Sequence, residues 1–170
     1  MKKYILPLFA FASFTVSCNK NLADYNVRDL NAGHLIGNWA YDQVYDDNNP
    51  GGLDVSKIKA LQDDYISFRP GKRDGLIATG TGTISQGSLL YWPTKAKDID
   101  FTWRMDPNKL NTVIIEVWDK DGHLVGGNTA NVDGSNFKLD IISSFRTVLV
   151  NGSPEKQFFS TSYYCHQLPW

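Results

Sequence analysis

The stretch Ile99-Asp100-Phe101-Thr102-Trp103-Arg104-Met105 alternates without a break. Every second residue is large and apolar, and the residues between them are polar. Successive side chains of a strand point to opposite faces, so this pattern describes a strand with one buried and one wet face. The same alternation recurs on either side. Ile66 and Phe68 alternate with Ser67 and Arg69, and Phe137, Leu139 and Ile141 alternate with Asn136, Lys138 and Asp140. Thr112 to Trp118 is apolar on both faces, which predicts a strand covered on both sides.

Turn chemistry separates these segments. Arg69-Pro70-Gly71-Lys72-Arg73-Asp74-Gly75, Asp106-Pro107-Asn108, Asp119-Lys120-Asp121-Gly122 and Asp133-Gly134-Ser135-Asn136 are all turn sequences. Gly75, Gly122 and Gly134 are expected to supply the positive φ of tight hairpins. The predicted strands are 38–46, 64–69, 75–84, 88–92, 98–105, 110–118, 123–132, 136–142, 145–151 and 156–168. Gly80 and Gly82 predict a bend or bulge inside their strand. Only Asp54 to Gln62 has helical spacing, with Asp54 as cap and Val55, Ile58 and Leu61 on one face. The fold class is therefore all-β: an antiparallel meander β-barrel of about 8–10 strands with one short helix. Closure into a barrel removes the edges that an open sheet must protect.

The N-terminus has a different composition. Lys2 and Lys3 precede a run from Tyr4 to Val16 that carries no charge and is mostly apolar. A basic head, a short apolar run and small residues at its end form an export signal. The run is shorter than the roughly 20 apolar residues that span a bilayer. Asn19 to Asn31 is polar and lacks periodicity, which predicts a tether. The expected organisation is a signal at 1–17, a tether at 18–34 and a barrel domain at 35–170.

Two resemblances extend this reading. Thr15-Val16-Ser17-Cys18 resembles the lipobox of bacterial lipoproteins, with Thr15 where leucine is usual. The resemblance implies cleavage after Ser17 and a diacylglycerol on Cys18, usually with a third chain (palmitate or a similar acyl group) on the new amino terminus. Two or more chains hold a protein stably on a membrane. Asn19 in place of aspartate leans towards the outer membrane of the cell envelope. Leu35-Ile36-Gly37-Asn38-Trp39 resembles the opening Gly-x-Trp of the lipocalins, and more closely of lipocalin-like bacterial lipoproteins. It implies that Gly37 admits a tight entry and that Trp39 plugs the closed end of the barrel. It also implies an arginine packed across that tryptophan, for which Arg146 is the candidate. The Thr-Asp-Tyr motif of that family is absent.

Loss of Lys2 and Lys3 with the signal leaves 15 lysines and arginines against 18 acids, a net charge of −3. That balance, with no basic stripe, gives no reason to expect a nucleic-acid partner. With lipid on Cys18, Cys165 is a free, buried thiol; without lipid, a Cys18–Cys165 disulfide is open. His34, His123 and His166 share no spacing with metal-ligand character, so no metal or cofactor is expected. Asp119-Lys120-Asp121-Gly122 begins like a calcium loop but lacks its later ligands, and a hairpin turn explains it. Glu116, in an apolar strand, is the one acid that desolvation would single out. No nucleophile elbow or phosphate loop is present, and no enzymatic activity is expected.

Two roles remain. In the first, the barrel holds a small apolar ligand lined by Trp39, Phe101, Trp103 and Trp118. In the second, the domain binds an envelope or secreted protein through its loops, in the manner of an inhibitor or immunity protein, with Asp46–Pro50 and Gly51–Asp64 as the contact surface.

Overall fold

The computed structural model describes residues 22–46, 49–54, 64–85, 98–134, 138–159 and 162–169. Cys18, the export signal and its lipobox, the helix predicted at Asp54–Gln62 and the strand predicted at 88–92 lie outside these residues.

Among the described residues ten strands follow one helix. Helix α1 covers residues 22–35. The strands are β1 Gly37–Asp46, β2 Asn49–Asp54, β3 Tyr65–Pro70, β4 Thr79–Ile84, β5 Ile99–Met105, β6 Thr112–Trp118, β7 Leu124–Asp133, β8 Lys138–Val150, β9 Ser153–Phe159 and β10 Ser162–Gln167. All pairings are antiparallel. The order β1-β3-β4-β5-β6-β7-β8 is a meander, and β10 pairs with β1 on one side and β8 on the other. Each of those strands thus has a neighbour on both edges, and the wall closes. β2 folds back on the end of β1, opposite Gln43 and Val44, and β9 folds back on the end of β8. The all-β, barrel-like expectation holds.

The strand boundaries depart from expectation in instructive places. β8 runs through Ser143 and Ser144, where two strands were expected. The wall kinks there, with a register shift opposite Thr129 and Ala130. Before the kink β8 pairs with β10, and after it with β9. The single expected strand 156–168 is accordingly two. Asn151 and Gly152, both at positive φ, form the tight β8–β9 turn.

Gly75 and Gly122 adopt positive φ as expected, but Gly134 does not. Its missing side chain has another use: a Cβ there would lie 1.7 Å from Nδ1 of His34 on α1. Gly80 and Gly82 make no bend. β4 pairs in regular register, Gly80 opposite Trp103 and Gly82 opposite Phe101. A Cβ on either glycine would strike the facing ring at 2.5 Å or less. The glycines make room for two aromatic rings inside a narrow barrel.

The largest departure is α1. Residues 22–34 are not an extended tether. The segment has no proline, Val27 is its one β-branched residue, and its one glycine, Gly33, stands in the last turn, where it interrupts helix least. The barrel domain begins with this helix rather than at Leu35. Ala32 and Leu35 are buried in the core. Arg73, in the β3–β4 turn, donates to Asp29 and to the Tyr25 hydroxyl (2.8 Å). Asn31 donates to the Leu110 carbonyl in the β5–β6 turn at 2.9 Å. With His34 over Gly134 in the β7–β8 turn, α1 meets three turns at one end of the barrel and caps it.

The helix ends on the motif read from sequence. Its last carbonyls have no intrahelical partner and need donors from elsewhere. The Trp39 indole N–H donates to the Leu35 carbonyl at 2.9 Å. The Gln167 amide donates to the carbonyls of Ile36 (2.9 Å) and His34 (3.3 Å). Gly37 enters β1 at φ 134°. Arg146 falls in β8 opposite Gly126 and Gln157, and its packing on Trp39 concerns a side chain outside those described.

Candidate binding face

A carrier would hold its ligand in the interior of the barrel. The inward faces contribute Trp39 and Tyr41 from β1, Ile66 and Phe68 from β3, Phe101, Trp103 and Met105 from β5, and Tyr163 and Cys165 from β10. Trp39, Ile66, Val113, Ile115, Ala130 and Tyr163 have no accessible surface at all. A void large enough for water would expose the side chains that line it. These six therefore border no water-sized space. The rings interlock: Phe68 lies edge-on to Phe101 at 5.3 Å and to Trp103 at 6.4 Å, and Tyr41 lies edge-on to Tyr163 at 5.7 Å. The Trp103 indole N–H is shared between the carbonyls of Arg69 and Thr81, at 3.0 and 3.1 Å. Trp39, Phe101 and Trp103 point inward as expected, but as parts of a close-packed core.

Trp118 does not join them. Val113, Ile115 and Val117 take the inner face of β6, so Trp118 points outward and is 45 % exposed. The expectation that β6 is covered on both sides fails for the same reason. Trp118 cannot line the barrel; it borders an open groove of about 400 Å³ on the outer wall of β3 to β6, with Arg69, Thr81, Asp100 and Thr102. Phe101 and Gly82 form its floor. The Trp118 indole N–H donates to Thr102 Oγ1 at 3.0 Å, which fixes the ring and leaves its face free. Asp100 Oδ1 accepts from Thr83 Oγ1 at 2.9 Å. Beside the groove, Arg104 and Glu116 pair across β5 and β6 at 3.7 Å. Glu116 is thus paired, with 23 % of its side chain exposed. Among the described residues Arg69 has no ion pair, and its side chain is exposed.

The other candidates resolve into structural roles. The buried acid is Asp64, at the entry to β3; nothing in its sequence setting distinguishes it. Cys165 is buried and His166 faces outward, as neighbours on a strand must. His166 Nδ1 meets Asp42 Oδ1 at 2.7 Å across the β1–β10 seam. Asp119 Oδ1 accepts the amides of Asp121 (2.9 Å) and His123 (2.8 Å), which builds the β6–β7 turn. The His123 amide is the first cause that holds the Asp119 carboxyl below its usual range. Asp119, Asp121 and His123 do converge, but this hydrogen bonding accounts for the convergence.

No family model, curated protein or solved structure matches the chain.

Proposed function

We propose that the protein is a lipid-anchored component of the bacterial envelope that binds a protein partner on the outer wall of a filled barrel. The anchor part rests on the export signal and on the lipobox resemblance that ends at Cys18. The binding part rests on one observation: among the described residues, the inward side chains of Trp39, Ile66, Val113, Ile115, Ala130 and Tyr163 border no water-sized space. A carrier of the lipocalin kind needs that space.

The outer groove supplies what the interior lacks. Tryptophan and arginine are the residues that most often dominate the energy of protein interfaces. Trp118 and Arg69 stand together here, beside Asp100 and two threonines whose hydroxyls can donate or accept. Both charge signs are present, which favours register and partner choice over nonspecific attraction. The Asp46–Pro50 and Gly51–Asp64 loops were the expected contact surface, and most of that segment lies outside the described residues.

The test is photocrosslinking in the producing cells, with a crosslinking amino acid at Thr81 and, as control, at Asp42 on the β1–β10 seam. One discrete adduct at Thr81 that disappears with Trp118→Ala or Arg69→Ala supports the reading. A small molecule of fixed mass that copurifies with the protein, and is lost on Phe101→Ala, overturns it in favour of a carrier.

A further inference from the structure

The outward arc of α1 carries no charge. Its exposed residues are Leu22, Ala23, Asn26, Val27, Leu30 and Gly33. Leu22 and Leu30 are 58 % and 60 % exposed. A helix face turned to water ordinarily carries charged residues. The charged residues of α1 are set instead towards the barrel and its turns: Asp24, Arg28 and Asp29 are half-buried, and Asp29 is held by Arg73. Two more exposed leucines stand in turns that α1 bonds to. Leu110 is exposed in the turn that accepts the Asn31 bond, and Leu76 is 71 % exposed in the turn that holds Arg73. Lys72 and Lys109 are exposed in those same two turns.

Chain length says what covers this surface. Leu22 stands four residues from Cys18. At no more than about 3.6 Å per residue, the start of α1 lies within about 14 Å of the anchored cysteine. Among the described residues no helix is long and apolar enough to cross a membrane. We propose that α1 lies flat on the membrane, with Leu22, Val27, Leu30, Leu76 and Leu110 in the headgroup–acyl boundary and Lys72 and Lys109 at the phosphates. An apolar face with basic residues at its edge is how interfacial helices bind anionic bilayers. The capped end of the barrel then faces the membrane and the opposite end faces away from it. This inference rests on the lipid anchor proposed above.

The experiment uses the full chain, processed in cells and reconstituted in vesicles of phosphatidylethanolamine and phosphatidylglycerol. An environment-sensitive dye is placed by Leu30→Cys, and separately by Lys120→Cys in the β6–β7 turn, each in a Cys165→Ala background. Lipids spin-labelled on the acyl chain should quench the dye at 30 several-fold more than the dye at 120. A dye placed by Leu110→Cys should follow the dye at 30, and Leu22→Glu with Leu30→Glu should abolish its quenching. Equal, weak quenching at 30 and 120 in a chain that bears lipid and pellets with the vesicles overturns the docking and leaves the anchor intact. A blue-shifted but unquenched dye at 30, with a dimer by crosslinking, assigns the face to a second copy and also overturns it. A chain without lipid on Cys18, left in the supernatant, overturns anchor and docking together.

Discussion

Tyr41 puts a hydroxyl into the core, and that oxygen has no partner among the described residues. Burial, followed by the proximity of Cys165, Tyr163 and Asp64, raises its pKa well above the ordinary tyrosine value of 10.0. The unfolded chain therefore loses this proton first as the pH rises. The contribution to stability is complete below pH 10.0 and shrinks above it, by about 1.4 kcal/mol per pH unit until the folded state also titrates. Urea unfolding across that range should show a steep alkaline loss, and Tyr41→Phe should flatten it. The same variant should gain about 1 kcal/mol at neutral pH, because it removes a buried group without a partner. The two interior glycines give a second prediction. Gly80→Ala places a Cβ 2.1 Å from the Arg69 carbonyl and 2.5 Å from the Trp103 ring, and should cost about 3 kcal/mol in urea unfolding. Gly75→Ala meets no neighbour but keeps a positive φ, and should cost about 1 kcal/mol. Sequence alone shows the purpose of neither Gly80 nor Gly82, because the ring that needs each glycine belongs to another strand.

At the scale of elements, legibility followed the number of wet faces. β5 could be read residue by residue because one face is buried and the other is in water. The sequence of β6 is apolar on both faces, so its pattern does not show which side of the wall Trp118 takes. Helix α1 was invisible for a related reason. Only Ala32 and Leu35 are fully buried, and its outer arc is uncharged, so no apolar stripe contrasts with a charged face. Much of its support comes from outside itself, above all from Gln167 at the far end of the chain. Gln167→Ala should therefore act at a distance. We expect a loss of about 1 kcal/mol, with faster amide exchange in residues 22–35, while β5 and β6 stay protected. Unchanged exchange in α1 would show that the two carbonyls find other donors. The His166–Asp42 pair is a contrasting case: both side chains are about half-exposed, so His166→Ala should change stability by less than about 1 kcal/mol.

For the whole molecule, the barrel is legible as a class and the site is not. Alternation and turns determine a closed antiparallel wall, but whether that wall is hollow depends on how side chains from eight strands meet across it. The tight interior has a measurable signature. An apolar reporter dye should show no saturable binding to the folded protein, and Phe101→Ala should open a dry space that admits a small aromatic such as benzene, at a cost of about 4 kcal/mol. Saturable dye binding to the unaltered protein would show that the core yields to ligands. The residues of the proposed site lie on the outside, where a sequence carries no record of which exposed residues stand side by side. Arg69, Asp100 and Trp118 come from three strands and meet only through the register of the sheet.

The seam has a consequence for how the protein is made. The first strand of the wall is completed by the last: Tyr41 stands opposite Cys165, and Gln167 holds the carbonyls that end α1. A chain that is still being synthesised, or still threading through a translocation channel, lacks that strand and cannot shut. Pairings this distant in sequence form slowly. On the proposed export route the chain must stay unfolded until it has crossed, and the order of the strands would build in that delay, because β10 is needed to close the wall.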